Sequence, residues 1–122
     1  MGREIADMKI AKRSSPRQGG PDPVLLRRVV RRIVKAVRPK QIILFGSAAR
    51  GNMGPHSDLD LLVVKRTTQR NRLAQRALAA LRGTGIGADI LAASPGDLER
   101  HRHNPGLIIG TILREGRVIY GV

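Results

Sequence analysis

The sequence predicts a compact α/β domain in which amphipathic helices alternate with short apolar strands. Three features lead to that class. Residues 23–38 carry apolar side chains at helical spacing. Residues 41–45 and 58–64 are short, mostly apolar strand-like runs separated by a Gly-Ser turn. The second run holds an Asp-x-Asp, and alternation along a strand sends both acids to one face.

Taken in order, residues 1–21 form a basic arm that ends in Ser14-Ser15-Pro16-Arg17-Gln18-Gly19-Gly20-Pro21, a linker by composition, and whose first half can pair as an added strand. Residues 22–122 form the domain. In the helix 23–38, Leu25, Leu26, Val29, Val30, Ile33, Val34 and Val37 make an apolar stripe. Arg27, Arg28, Arg31, Arg32, Lys35 and Arg38 occupy the opposite side, with Asp22 as N-cap, Pro23 in the first turn and Pro39 as the stop. Gln41 to Phe45 is a strand, after which Ser47 to Arg50 open a helical turn. From Asp58 to Val64 a second strand sends Asp58 and Asp60 to one face and Leu59, Leu61 and Val63 to the other.

Thr67 or Thr68 can cap a helix through Leu81, with Leu73, Ala77, Leu78 and Leu81 inward and Gly83 ending it. Ile86 to Leu91 is the next strand, bounded by Gly83 and Gly85 before it and Ser94-Pro95-Gly96 after it. Ser94 and Asp97 resemble a capping box that opens a short helix. Leu107 to Leu113 forms a last helix closed by Gly116, and Arg117 to Tyr120 a terminal strand.

The Gly-Ser turn and the Asp pair point to phosphate and metal chemistry. With no Cβ at Gly46, a phosphate can approach the chain closely, and the free amides of the turn at Ser47 favour an anion. Two adjacent carboxylates each raise the cost of ionising the other, and a divalent cation removes that cost. Magnesium takes one or two carboxylates and completes its shell with phosphate oxygens and water, the arrangement that phosphoryl and nucleotidyl transfers need. Arg50 is either a phosphate contact or an ion-pair donor to the strand acids.

Gly46-Ser47, Ala49-Arg50-Gly51 and Ser57-Asp58-Leu59-Asp60-Leu61-Leu62-Val63 resemble the signature of the DNA polymerase beta nucleotidyltransferase superfamily, and the short chain is most similar to its minimal members. The resemblance implies a small mixed sheet flanked by helices, with Gly46 and Ser47 on the nucleotide phosphates and Asp58 and Asp60 on magnesium. It also implies a third carboxylate on a later strand that helps deprotonate the acceptor hydroxyl and hold a second metal ion. Asp89 is the candidate, because a carboxylate within an apolar strand is costly to bury without a partner.

The resemblance further implies transfer of AMP from ATP to a hydroxyl on a partner macromolecule. Minimal enzymes of this type are often paired with toxins of the HEPN ribonuclease family, which implies an antitoxin that adenylylates its partner. Two other functions fit the same chain: a non-catalytic antitoxin or adaptor that masks its partner, and an RNA-binding accessory protein.

Other motifs fail on spacing. Gly83-Thr84-Gly85-Ile86-Gly87 lacks the spacing of a dinucleotide site, and the stretch from Gly46 to Gly54 lacks the Lys-Ser/Thr ending of a P-loop. Ser47 is not in a nucleophile elbow. His101 and His103 have no Cys or acid cluster to complete a zinc site, and His56 reads as a loop residue.

At 122 residues the chain is long enough to bury a core but too short for a second substrate domain, so another chain is expected to supply acceptor recognition. No run approaches the roughly 18 apolar residues of a membrane span, there is no apolar signal segment, and cysteine is absent, all compatible with the cytoplasm. The formal charge is +14. Residues 1–40 hold twelve Lys/Arg against three acids, leaving +5 for the rest. Such a surface attracts an acidic protein or RNA, although one Tyr, one Phe and no Trp leave little to stack bases on, so weak RNA binding is expected. Self-association stays open.

Overall fold

The computed structural model describes residues 20–52, 58–104 and 106–121. The arm up to residue 19, and with it the expected added strand, lies outside those residues, as do His56 and Ser57.

Helix α1 (Pro23–Val37) begins where expected. The Asp22 side chain accepts the N–H of Val24 at 2.9 Å. Arg38 closes the helix in the left-handed region, φ 48°, and Pro39 prevents continuation. Its buried side chains are Leu26, Val29, Val30, Ile33 and Val37, while Leu25 and Val34 pack partly against the same core.

Strand β1 (Gln41–Phe45) leads into the short helix α2 (Gly46–Arg50), and strand β2 (Leu59–Val64) follows. Then come α3 (Arg70–Ala79), β3 (Ala88–Ala93), α4 (Pro95–His101), α5 (Ile108–Glu115) and β4 (Arg117–Tyr120). The sheet has the order β3-β2-β1-β4. β1 runs antiparallel to β2 and to β4, whereas β2 and β3 are parallel, joined by the α3 crossover that a parallel pair requires. The sheet is therefore mixed, with helices on both faces.

Strand alternation divides the core between those faces. Leu59, Leu61 and Val63 of β2, with Ile42 and Leu44 of β1, pack under α1 and α3. Leu62 and Val64, with Ile43, pack under Leu98 of α4 and Ile112 of α5. The central strands are apolar on both faces because both are covered, except at the end where the acids stand.

Several element ends differ from expectation. Helix α3 has Gln69 at its N-cap, because the Thr67 hydroxyl accepts the Gln69 N–H and closes a turn just ahead of the helix. Its regular part stops at Ala79, and Leu81 is buried from the turn beyond. Leu78, expected inward, is 46 % exposed, since Leu73 and Ala77 define the inward stripe and Leu78 lies a further 100° around the helix. The third strand starts at Ala88 rather than Ile86. Gly85 has φ +76°, and residues 84–87 approach the sheet outside the ladder.

The Ser94–Asp97 capping box forms in both directions, with Asp97 N–H on the Ser94 hydroxyl at 3.2 Å and Ser94 N–H on the Asp97 carboxylate at 2.8 Å. Asp97 also accepts from Arg70 at 2.5 and 2.7 Å and from Arg100 at 2.5 Å. It is buried. The Arg70 hydrogen bond holds its carboxyl well below the ordinary carboxylate range. One acid thus caps α4 and anchors the start of α3.

Candidate active site

The chain brings its acids together at one end of the sheet. β1 ends there, and β2 and β3 begin there. Asp60 pairs with Phe45 on one side and with Asp89 on the other, so Asp60 and Asp89 stand directly across the β2–β3 ladder. Paired residues share a face, which places Asp60 and Asp89 on the side of Leu62 and Val64. Asp58 precedes Leu59 by one residue, and its side chain rests against Gly87, where a Cβ would clash with the carboxylate. The Leu59 N–H donates to the Gly87 carbonyl at 3.1 Å and fixes that approach.

Gly46 serves Asp60 in the same way. It has φ +71°, and the space a Cβ would fill is taken by the Asp60 carboxylate. The face opened by the missing side chain therefore looks onto Asp60, whereas the sequence suggested an opening toward phosphate. Gly46 starts α2, and Ser47 follows half-buried. The Asn52 N–H donates to the Ser47 carbonyl at 3.0 Å, and Gly51 closes the turn with φ +79°. Arg50 is exposed at the last turn of α2.

The electrostatics follow from this placement. Burial pushes the Asp60 carboxyl up, and the negative charges of Asp89 and Asp58 push it further, while Arg50 pulls it partly back. The charges of Asp89, Asp58 and Arg50 therefore all act on Asp60. Asp89 lies on an edge strand and is exposed, so it is not the buried acid that its apolar flanks suggested. Its position opposite Asp60 comes instead from the parallel register.

Among the described residues, no three His, Asp or Glu side chains close into a finished metal cage. The donor set still suits a hard divalent cation, since it consists of carboxylate oxygens whose mutual repulsion such an ion relieves. The open side is where phosphate oxygens and water would complete a shell. The sequence places Gly87 in the strand-like run from Ile86 to Leu91 and in a Gly-rich stretch that fails as a dinucleotide motif, with no part in the site. Its signal was a glycine two residues before the acid of the next strand.

Among the described residues, no helix is long and apolar enough to cross a membrane. The model of the nucleotidyltransferase domain family matches residues 26–112, which include β1, the glycine turn, all three acids and α5 up to Ile112. No curated protein matches the chain. Two solved structures share the fold. One, a crystal structure of a toxin-antitoxin with AMP-PNP, is 23% identical with a TM-score of 0.51, over 78% of this chain and 73% of that one. The other, of a candidate nucleotidyltransferase from Sulfolobus solfataricus, is 17% identical with a TM-score of 0.53, over 97% of this chain and 89% of that one.

Proposed function

The chain belongs to the nucleotidyltransferase domain family, and on that premise we propose that it moves AMP from ATP to a hydroxyl on a partner protein, a HEPN-type toxin that it neutralises as an antitoxin. Residues 22–122 are the transferase domain, residues 1–21 its basic arm, and the cytoplasm its place of work. The observation that carries this proposal is the meeting of Asp58, Asp60 and Asp89 at the heads of adjacent strands, with Gly46 packed against Asp60. The similarity to a toxin-antitoxin structure with AMP-PNP favours ATP and a protein acceptor.

Asp58 and Asp60 would hold magnesium, with Asp89 contributing to a second ion. An ion held there would supply positive charge against the charge that develops on the triphosphate. The backbone amides at Gly46 and Ser47 bind the β- and γ-phosphates and so orient the α-phosphate. Arg50 adds a positive charge beside the acids. Asp89, exposed at the sheet edge, is open to a macromolecule and accepts the proton of its hydroxyl. The hydroxyl oxygen then bonds to the α-phosphorus, the α–β bridge breaks, and pyrophosphate leaves.

The test is to incubate the full chain and candidate toxins with ATP labelled at either the α- or the γ-phosphate. Label should reach the toxin only from the α-position. Transfer from the γ-position would indicate a kinase, and neutralisation of the toxin without label would indicate masking.

A further inference from the structure

The outer surface of α1 and α3 lies on the opposite side of the sheet from the acids, and it is almost purely cationic. Arg27, Arg28, Arg31 and Lys35 on α1 are exposed, as are Arg72 on α3 and Arg82 just beyond it. Between Asp22, which caps α1 through the Val24 N–H, and Gly87 the only further acids are Asp58 and Asp60. Among the described residues, the ion pairs to Asp97 and Glu99 involve none of Arg27, Arg28, Arg31, Lys35, Arg72 and Arg82.

The two helices are locked together. Arg32 donates to the carbonyls of Ala80 at 3.2 Å and Arg82 at 3.4 Å, and Arg76 donates to that of Ala36 at 3.0 Å. These contacts run in opposite chain directions, so α1 and α3 are antiparallel neighbours. Fifteen residues make α1 about 22 Å long, with neighbouring cations about 6 Å apart along its face.

The kind of partner follows from what else this surface presents. Protein interfaces place apolar or aromatic anchors at their centres and deplete charge there. Here Val24 and Leu78 are the only large apolar side chains of the two helices exposed to that degree. Single-stranded nucleic acid calls for aromatic platforms, and the one Phe and one Tyr are both half-buried. A regular array of phosphates requires neither feature. It requires fixed guanidinium groups without competing carboxylates. We propose that the α1–α3 face docks the phosphodiester backbone of a nucleic-acid duplex, independently of sequence and away from the transferase site.

Fluorescence anisotropy of the full chain with a labelled DNA duplex of about 20 base pairs tests this, since such a duplex exceeds the length of α1. Affinity should fall about 10³-fold between roughly 50 and 200 mM salt, the loss expected for about six phosphate contacts. Arg28→Glu with Arg31→Glu should flatten the slope of log affinity against log salt by about 2, and the milder Arg27→Gln with Lys35→Gln by a similar amount. Arg102→Glu with Arg114→Glu, outside this face, makes the same net charge change as the first pair and should leave the slope unaltered. Asp58→Asn with Asp60→Asn should bind the duplex as well as the unaltered chain does.

Equal weakening by both Glu pairs would reduce the effect to net charge and overturn the proposal. So would no duplex binding at 50 mM salt, or tighter binding of a single strand. Polyglutamate binding more tightly than the duplex would assign the face to an acidic protein instead.

Discussion

The Asp60 carboxylate occupies the space of the Cβ that Gly46 lacks. A turn that reads as a phosphate cradle in the sequence is therefore also the wall against which the Asp60 carboxylate packs. Gly46→Ala would force the new methyl group into Asp60 and place a non-glycine residue at φ +71°. The backbone strain alone costs about 1–2 kcal/mol. The variant should melt lower and bind ATP with magnesium at least tenfold more weakly, as measured by thermal denaturation and calorimetry. Unchanged binding would mean that Asp60 does not need this wall.

Asp60 should cost the free protein stability at neutral pH. Its folded pKa is raised, so it contributes stability while protonated, fully so below the unfolded value of about 3.9, and loses that contribution as pH rises through the folded value. Asp60→Asn should therefore raise the Tm of the metal-free chain at pH 7 and give no such gain at pH 3. For a domain of this size, each kcal/mol corresponds to a few degrees, about 4–8 °C. A lower Tm at pH 7 would remove the crowded-carboxylate account.

Asp97 has the opposite sign. Its folded pKa is depressed, so its contribution is present above the unfolded carboxyl pKa and is lost as pH falls through the folded one. Asp97→Asn should destabilise at pH 7 and lose most of that difference in strong acid. Ser94→Ala, which removes the reciprocal half of the capping box, should cost about 1 kcal/mol. Denaturant melts across pH check both.

Asp89→Asn separates the steps of the proposed reaction. Nucleotide binding should stay within a few-fold of the unaltered chain, while AMP transfer falls by at least about 10²-fold, the lower range for loss of a general base. Neutralisation of a partner by this variant at full strength would favour masking over catalysis.

Most of the frame was legible in local chemistry. Asp22, Pro23 and Pro39 set the ends of α1, and period-two alternation separates Asp60 on one face of β2 from Leu59, Leu61 and Val63 on the other. The Ser94–Asp97 box was also legible, but not the approach of Arg70 to it, because Arg70 is 27 residues away. Non-local register was equally hidden. That β2 and β3 are parallel, with Asp60 against Asp89, depends on how the α3 crossover returns the chain, and no neighbouring residue encodes it. The exposure of Asp89 was misjudged for the same reason, since alternation along one strand does not reveal whether that strand ends the sheet. The contacts of Gly46 and Gly87 with the acids depend on tertiary approach as well.

Calorimetric titration of the chain with ATP, with and without magnesium, tests the central claim most directly, because the carboxylates are proposed to form a complete site only together with phosphate oxygens. ATP should bind much more tightly with magnesium than without it, and the paired Asp58→Asn, Asp60→Asn variant should lose that difference while remaining folded. Equal ATP affinity with magnesium removed, or an undiminished magnesium effect in the paired variant, would contradict the assignment of these acids to the metal.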